Sequence, residues 1–364
     1  MAKYRFGDIC EVLNGRAYKQ NELLSSGKYP ILRVGNFFSS DRWYYSDMEL
    51  PENKYCDYED LLFAWSASFG PKIWDGGKVI YHYHIWKLIP NDDVADKFYL
   101  YYWLQHSVNR LTAGTHGSVM AHMTKGDMEN QSIELPSLQT QKKISSILRT
   151  IDEKIHNNEA INNNLEQQVS ALYQSWFEDL DPTNGVCPDN WSYQMLSTIA
   201  DISSGKRPPI KSEVYSQETP ISIVGAASVM GFTSEANHTD KILVTGRVGT
   251  HGVIQRFNTP CWTSDNTLVI TSPFYEFANQ ILHRIDYSSM NRGSTQPLIT
   301  QGDMKKVVVL VPDEETLAKF EALAGSLMAQ WEANNNENVK LASLRDTLLP
   351  KLMSGELDVS DIEI

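Results

Sequence analysis

The chain has 364 residues, of which 41% are hydrophobic and 21% charged, and its formal net charge is −13. This length allows two ordinary domains with their own cores, and no apolar run approaches the roughly 18 residues of a membrane span. The N-terminal sequence lacks the apolar region of a secretory signal. The four cysteines (Cys10, Cys56, Cys187 and Cys261) are scattered, so we expect a cytoplasmic protein with reduced thiols and no zinc site.

The negative charge is concentrated in the last part of the chain. Residues 313–364 contain 11 acidic and 4 basic side chains, whereas 1–135 contain 17 and 14, and 190–312 contain 9 and 10. The two larger parts are thus nearly neutral, which neither supports nor excludes a nucleic-acid partner. For the acidic region we keep two explanations open: a solvated surface, or a face for a protein partner.

In chain order, residues 1–135 form the first predicted domain. Short β-branched and aromatic runs separated by Gly, Pro, Asn and Asp predict strands, as in residues 78–89, and one helix is predicted over 96–111. Residues 190–312 repeat this arrangement, with a strand in 266–272 and a helix over 276–285. We therefore predict two α+β domains.

A long helix is predicted after each domain, over 136–178 and 313–353, with a linker over 179–189 and an acidic tail over 354–364. Apolar positions at alternating spacings of four and three predict a coiled-coil seam. In the first helix the seam comprises Ile144, Leu148, Ile151, Ile155, Asn158, Asn162, Leu165, Val169, Leu172 and Trp176. In the second it comprises Phe320, Ala324, Leu327, Trp331, Asn334, Asn338, Leu341, Leu348 and Leu352, with Arg345 as a charged intrusion.

Two asparagines interrupt each seam near the midpoint of its helix. They are either solvated residues of a frayed segment, or buried polar residues that fix the register where two antiparallel helices meet. Antiparallel pairing would place one domain at each end about a pseudo-two-fold axis, and parallel pairing would place both at one end. We predict an antiparallel coiled coil, which suits two sites a fixed distance apart on a long polymer.

The two halves are a tandem duplication. GSVMAHMTKGDM (117–128) and GSTQPLITQGDM (293–304) share six of twelve residues at a separation of 176. YPILRVG (29–35) lies 190 residues before TPISIVG (219–225), and Gly70 lies 182 before Gly252. The separation changes as insertions in loops would change it.

The motifs resemble those of a known family. Residues 135–177, LPSLQTQKKISSILRTIDEKIHNNEAINNNLEQQVSALYQSWF, resemble the central conserved helix of specificity subunits of type I restriction–modification systems. LRDTLLPKLMSGEL (344–357) resembles the C-terminal signature of that family, and the GS…T…GDM loops resemble the segment that closes each target recognition domain. The resemblance covers nearly the whole chain.

The resemblance implies a prokaryotic subunit that binds double-stranded DNA, each target recognition domain reading half of a bipartite sequence and the helices setting the spacer. Two modification subunits would bind S-adenosylmethionine and methylate adenine, and two restriction subunits would hydrolyse ATP with Mg. This chain would bind no cofactor and have no activity of its own. The second helix lacks the QxxI and DEKI sequence motifs of the first, which leaves open whether the two modification-subunit contacts are equivalent.

The sequence contains none of the enzyme motifs GxxxxGK[ST], strand-linked GxGxxG, Asn-Pro-Pro-aromatic, GxSxG or HExxH. His82 and His84 would lie on one face of a predicted strand as two metal ligands, but no third ligand is evident, so we favour partly buried or DNA-facing histidines. The neighbouring Tyr81, Tyr83 and Trp86 are interpreted as core rather than as a stacking platform. These observations favour a binding protein over a catalyst.

Three groups of polar residues are candidates for DNA contact, with ordinary solvated side chains as the alternative. The repeated loop contributes Thr115, His116 and Ser118 in one copy and Arg292, Ser294, Thr295 and Gln296 in the other, while Thr124, Gly126, Asp127 and their counterparts are assigned a structural role. A Gly-centred segment contributes Ser66, Ser68 and Lys72, and Arg247 and Thr250 with His251. The loop after the first strand contributes Arg16 and Lys19, and Lys206, Arg207 and Lys211.

The polar tips differ between the two copies, so we expect the halves to read different sequences and the DNA site to be asymmetric. The main alternative is a two-headed coiled-coil scaffold that binds proteins rather than DNA. Repetition and helix periodicity alone do not separate these two functions.

Overall fold

The computed structural model describes residues 1–38, 42–66, 68–112, 123–290, 292, 298–359 and 362. They form two compact units: Met1–Asn157 with Asn336–Ile364, and Asn158–Asn335. Each unit contains one α+β domain and a segment of each of two long helices. The predicted α+β class and the duplication are confirmed. Within the described residues, no helix is long and apolar enough to cross a membrane.

The domain of the first unit is built on two four-stranded sheets, of order β2-β9-β6-β7 and β4-β3-β8-β5, and on the pair β1-β10. Strand β3 pairs parallel with β8, and the other pairings are antiparallel. The elements are β1 (Ala2–Arg5), α1 (Phe6–Ile9), β2 (Cys10–Asn14), β3 (Tyr29–Leu32), α2 (Val34–Phe38), β4 (Tyr44–Ser46), β5 (Tyr55–Cys56), β6 (Leu61–Ser66), β7 (Ser68–Ile73), β8 (Val79–Tyr81), β9 (Ile85–Pro90), α3 (Lys97–Thr112), α4 (Lys125–Glu129) and β10 (Ser132–Leu135). Helix α5 (Leu138–Tyr173) follows.

The domain of the second unit repeats this plan. Its sheets have the orders β12-β18-β15-β16 and β14-β13-β17, with β13 and β17 parallel, and β11 pairs with β19. The elements are β11 (Ser192–Met195), β12 (Asp201–Ser204), β13 (Ile221–Val224), β14 (Val229–Thr233), β15 (Ile242–Gly246), β16 (Gln255–Phe257), β17 (Cys261–Thr263), β18 (Thr267–Thr271), α6 (Tyr275–Arg284), α7 (Gln301–Lys305) and β19 (Val308–Val311). Helix α8 (Glu314–Ser354) follows.

The duplication is visible in the backbone hydrogen bonds of the two domains. Corresponding N–H···O bonds are Arg16→Tyr81 (3.0 Å) and Lys206→Thr263 (2.9 Å), Trp65→His84 (3.1 Å) and Arg247→Asn266 (2.8 Å), and His82→Leu32 (2.9 Å) and Ser264→Val224 (3.0 Å). The last pair of bonds makes Val224 the counterpart of Leu32, 192 residues further along the chain. The sequence match between YPILRVG and TPISIVG indicates a separation of 190 instead. A two-residue slip keeps every side chain on its face of the sheet, so the apolar pattern alone does not reveal it.

One close backbone approach occurs in both domains. A Cβ atom at Gly15 would collide with the carbonyl oxygen of His82, and one at Gly205 would collide with that of Ser264. Gly15 directly follows β2 and Gly205 directly follows β12. At both positions the backbone passes the neighbouring turn at a distance that only glycine permits.

The long helices bury most of the predicted seam. Ile144, Leu148, Ile151, Leu165 and Val169 of α5 are buried, and so are Phe320, Ala324 and Leu352 of α8. Ile155, Leu172, Trp176, Leu327, Trp331, Asn338, Leu341 and Leu348 are half-buried. Leu317, Met328, Leu349 and Met353 are also buried, although the seam omits them. They belong to the domain cores, so α8 has a wider apolar stripe than a partner helix alone requires.

At the end of the first helix the buried positions shift by one residue. Tyr173 and Phe177 are buried where the sequence predicts Leu172 and Trp176. The shift is already present at Tyr173, the last residue of α5, and a π-helical turn follows over Gln174–Glu178.

Three of the four asparagines on the predicted seam are buried: Asn158, Asn162 and Asn334. Asn334 Nδ2 donates to Asn162 Oδ1 at 2.9 Å, and Asn162 Nδ2 donates to the Trp331 carbonyl at 3.3 Å. Within the second unit, Glu166 accepts a hydrogen bond from Trp331 while Asn162 meets Asn334, so the two helix segments run antiparallel there. Within the first unit, Asp152 meets Arg345 and the carbonyl of Ile155 meets Asn338, which gives the same direction.

The acidic region near the C-terminus has a third role that neither sequence-based explanation includes. Glu321 accepts the backbone N–H groups of Glu276 and Phe277 at 3.1 and 2.7 Å and so caps the start of α6. Asp313 caps α8 by accepting the N–H of Thr316 at 3.0 Å. Part of the acidity is therefore used inside the fold to satisfy helix N-termini.

Candidate nucleic-acid interface

In the first domain, three polar segments meet at one edge of the sheets. The sequence predicts that His82–His84 lie on a strand, and this is wrong. These residues form the turn between β8 and β9. The strand predicted over 78–89 is divided because this turn crosses from one sheet to the other. The Tyr83 N–H donates to the Arg16 carbonyl at 3.0 Å, and the Trp65 N–H donates to the His84 carbonyl at 3.1 Å. The loop after β2, the turn and the end of β6 are thus held together.

The candidate side chains at this edge differ in their exposure and in the ion pairs that they form. Arg16 pairs with Glu22 at 2.8 Å, and Lys72 pairs with Asp75 at 3.5 Å. Ser66 is buried, while Lys19 and Ser68 are exposed. Thr115, His116 and Ser118 lie outside the described residues.

In the second domain, the corresponding edge gathers the same segments and adds the repeated loop. The Lys206 N–H donates to the Thr263 carbonyl at 2.9 Å, and the Ile299 N–H donates to the Arg247 carbonyl at 3.0 Å. The Gly-centred segment therefore lies directly against the end of the repeated loop. Sequence separation gave no sign of this contact.

Most described candidates of the second domain face solvent. Lys206, Arg207, Lys211 and Thr250 are exposed, and Arg292 is exposed but forms an ion pair with Asp303. Arg247 is half-buried, and among the described residues its Nε has no hydrogen-bond partner. Ser294, Thr295 and Gln296 lie outside the described residues.

The invariant part of the repeated loop has the structural role that the sequence predicts. Thr124 is the N-cap of α4, and its hydroxyl accepts the Asp127 N–H at 3.1 Å while Asp127 Oδ2 accepts the Thr124 N–H at 3.0 Å. Thr300 and Asp303 form the same capping box at α7. Hydrogen bonds from the capping threonine hold the pKa of each aspartate below its ordinary value.

A cavity of about 300 Å³ opens beside the histidine turn of the first domain. Its lining includes Arg33, Asn36, Arg42, Tyr44, His82 and His84. The guanidinium carbons of Arg33 and Arg42 each lie 5.2 Å from the centre of the Tyr44 ring. Burial, followed by the charges of His84 and Arg33, lowers the pKa of His82 to about 4, so this imidazole is neutral at pH 7.

Arg33 and Arg42 are not among the DNA-contact candidates predicted from the sequence. The available signal was topological: Arg33 directly follows β3 and His82 directly follows β8, and the two strands are parallel neighbours. Residues that follow parallel neighbouring strands meet at one sheet edge, where ligand sites are common. The parallel pairing was not predicted, so the two positions were not connected.

The aromatic residues around the histidine turn differ in burial. Tyr81 and Trp86 are buried in the core, while Tyr83 is 39% exposed. The part of the chain that the structure describes contains no group of three or more His, Cys, Asp or Glu side chains that could hold a metal ion.

Comparison with known proteins gives consistent matches. Residues 1–167 match the model of the type I restriction modification DNA specificity domain. The type I restriction enzyme MjaIX specificity subunit of Methanocaldococcus jannaschii is 24% identical over 314 residues, covering 76% of this chain and 72% of that protein. The HindI specificity subunit of Haemophilus influenzae is 21% identical over 342 residues, covering 68% and 74%.

A solved structure shares the fold. The S subunit of a type I restriction–modification system from M. genitalium superposes with a TM-score of 0.63 at 17% identity. The match covers 96% of this chain and 95% of that one.

Proposed function

The chain belongs to the specificity subunits of type I restriction–modification systems, and from this we propose that each of its two domains reads one half of an asymmetric bipartite DNA sequence. One observation carries the asymmetry: the two domains repeat the same backbone hydrogen bonds but present different side chains at the same edge. Where the first domain has Arg33, His82 and His84, the second has Gly225, Ser264 and Asn266. Different donors and acceptors on one frame read different base edges.

The long helices are the proposed ruler and assembly surface. Their hydrogen-bonded pairing would hold the two reading edges at a set separation and so define the spacer. Ile161, Leu323, Val339 and Leu344 are large apolar residues of α5 and α8 with 48%, 50%, 71% and 48% of their surface exposed. We take these side chains as candidates for contact with the two modification subunits, with two restriction subunits completing the nuclease.

We assign no catalytic step to this chain. S-adenosylmethionine, ATP and Mg would be bound by the partner subunits, in keeping with the absence of their binding motifs from the sequence. The family match favours this DNA-reading role over a scaffold that binds only proteins. A cytoplasmic location in a prokaryote follows from the same proposal.

The test is modified-base sequencing of DNA from cells that express the modification subunit with or without this chain. We expect one two-part methyl-adenine motif, with unlike halves, that disappears when this chain is omitted. Co-purification of the two subunits serves as the control for assembly. A palindromic motif would refute the asymmetry, and unchanged methylation despite an assembled complex would refute the function.

A further inference from the structure

A recess of about 760 Å³ opens in the second unit between the long helices and the domain. Residues of α5 and α8 form one wall of this recess, and residues of β16 and α6 form the other. All of its lining residues belong to the unit Asn158–Asn335. A cavity of this size is within the range of ligand-binding sites in proteins.

Helix α6 has smaller side chains at the recess than its counterpart α3 has in the first domain. The two helices correspond at a separation of 178 residues, because their fully buried positions match: Tyr99, Leu100 and Leu104 with Phe277, Ala278 and Leu282. At the same separation Asn279 and Gln280 correspond to Tyr101 and Tyr102. The Tyr102 hydroxyl donates to Asp152 at 2.6 Å, so in the first unit this position is used for a contact with the long helix.

The wall of the recess contains two buried polar atoms without a partner. Asn279 is 4% exposed, and its Oδ1 accepts no hydrogen bond from the part of the chain that the structure describes. Arg256 donates to both carboxylate oxygens of Glu276, but its Nε likewise has no acceptor among the described residues. Buried polar atoms are usually hydrogen-bonded, so one acceptor and one donor are left for a ligand.

The charged side chains of the lining already have partners. Besides Arg256, Arg284 pairs with Glu178 at 2.6 Å, and Glu166 accepts the side-chain N–H of Trp331 at 2.8 Å. An ionic ligand would therefore find no free counter-charge in the recess. An uncharged amide group carries one carbonyl acceptor and N–H donors, which match the unused donor and acceptor of the wall.

We propose that this recess binds an amide group of one modification subunit, with Asn279 as the acceptor and Arg256 as the donor. This rests on the proposed function, in which the long helices are the assembly surface, and both of them line the recess. DNA is a poorer occupant, because a phosphate backbone needs cations that are free to bind it. Since Tyr101 and Tyr102 hold the corresponding positions of the first unit, the two modification subunits would be bound by unequal contacts.

Asn279→Leu tests the amide contact, because leucine is of similar size and forms no hydrogen bond. The full chain is titrated with the purified modification subunit, and mass photometry counts the subunits bound. Wild type should bind two, whereas the variant should bind one of them roughly tenfold to hundredfold more weakly and the other normally. The variant chain alone should unfold at the same or a higher temperature, because the substitution removes a buried acceptor that has no partner.

Asn279→Tyr is a second variant, which gives the second unit the residue that the first unit has at Tyr101. The larger ring should fill part of the recess and prevent one modification subunit from binding at concentrations that saturate wild type. Gln217→Leu and Gln217→Tyr are the matched controls, because Gln217 is exposed in the same unit and does not line the recess. Both controls should bind two modification subunits as wild type does.

Three outcomes would overturn the proposal. If both Asn279 variants bind two modification subunits with wild-type affinity, the recess is not a contact. If Asn279→Leu lowers the unfolding temperature of the chain alone, the amide serves the fold itself. If assembly is normal but the complex binds its DNA motif more weakly, the recess contacts DNA instead. A wild-type chain that binds no modification subunit would count against the proposed function.

Discussion

Replacing one of the two hydrogen-bonded asparagines between the long helices should destabilise the second unit. In the variant Asn162→Leu, Asn334 Nδ2 loses the acceptor that it reaches at 2.9 Å, and Asn334 is only 5% exposed. A buried donor without a partner costs about 1–3 kcal/mol. We therefore expect a loss of roughly 1–2 kcal/mol in the free energy of unfolding after the leucine has recovered part of it by apolar burial.

Changing both residues should behave differently. In Asn162→Leu/Asn334→Leu, donor and acceptor disappear together, and replacing both partners of a buried pair by apolar groups is often neutral or stabilising. The double variant should thus be more stable than either single variant. The coupling free energy of the cycle should be about 1–3 kcal/mol.

The measurement is urea unfolding of the four proteins, followed by circular dichroism under identical conditions. Asn163→Leu is the control, because Asn163 is exposed on the outer face of the same helix and its change should stay within about 0.5 kcal/mol. If the single variants are as stable as wild type, or if their effects simply add in the double variant, the asparagines are not a coupled pair.

Two further predictions concern buried polar contacts of the second unit. Arg256→Met should lower the free energy of unfolding, measured by thermal unfolding, by about 3–5 kcal/mol. The reason is that Glu276, whose side chain is 4% exposed, loses its bidentate partner at 2.7 Å. A variant with both residues replaced by Met should recover most of this loss, and a variant that recovers none would contradict the explanation. Thr300→Ala should cost about 1 kcal/mol by removing a helix cap. Because the Thr300 hydrogen bonds hold the pKa of Asp303 below its ordinary value, the carboxylate stabilises the fold above about pH 4 and loses this effect as pH falls through the lowered pKa. Stability curves from pH 7 to 2.5 should therefore converge at the acidic end, and a constant difference would refute the role of the carboxylate.

Features that depend on local sequence were predictable. The capping boxes at Thr124 and Thr300 follow from a repeated Thr-x-x-Asp spacing, and the buried faces of the helices follow from apolar periodicity. The burial of Asn162 was one of two alternatives, since the sequence could not show whether another polar group would face it. Its hydrogen bond with Asn334 explains why a polar residue is tolerated there.

Features that depend on how distant segments meet were not predictable. Arg33 and His82 are 49 positions apart in the sequence and become neighbours only because β3 and β8 pair in parallel. In the sequence Glu321 is one of many acidic residues, because its capping role depends on the start of α6 lying beside it in the fold. The turn at His82 was hidden because strands on both sides are apolar and aromatic, so the run looks continuous.

The glycines at positions 15 and 205 bear on how such chains diverge over evolutionary time. A side chain at either position would strike a carbonyl oxygen of the neighbouring turn, so substitution there is penalised whatever DNA the domain reads. The exposed side chains nearby, such as Lys19, Lys206 and Arg207, do not share this restriction and can change while the strand framework persists. Selection can thus replace the sequence that a domain reads without first inventing a new fold.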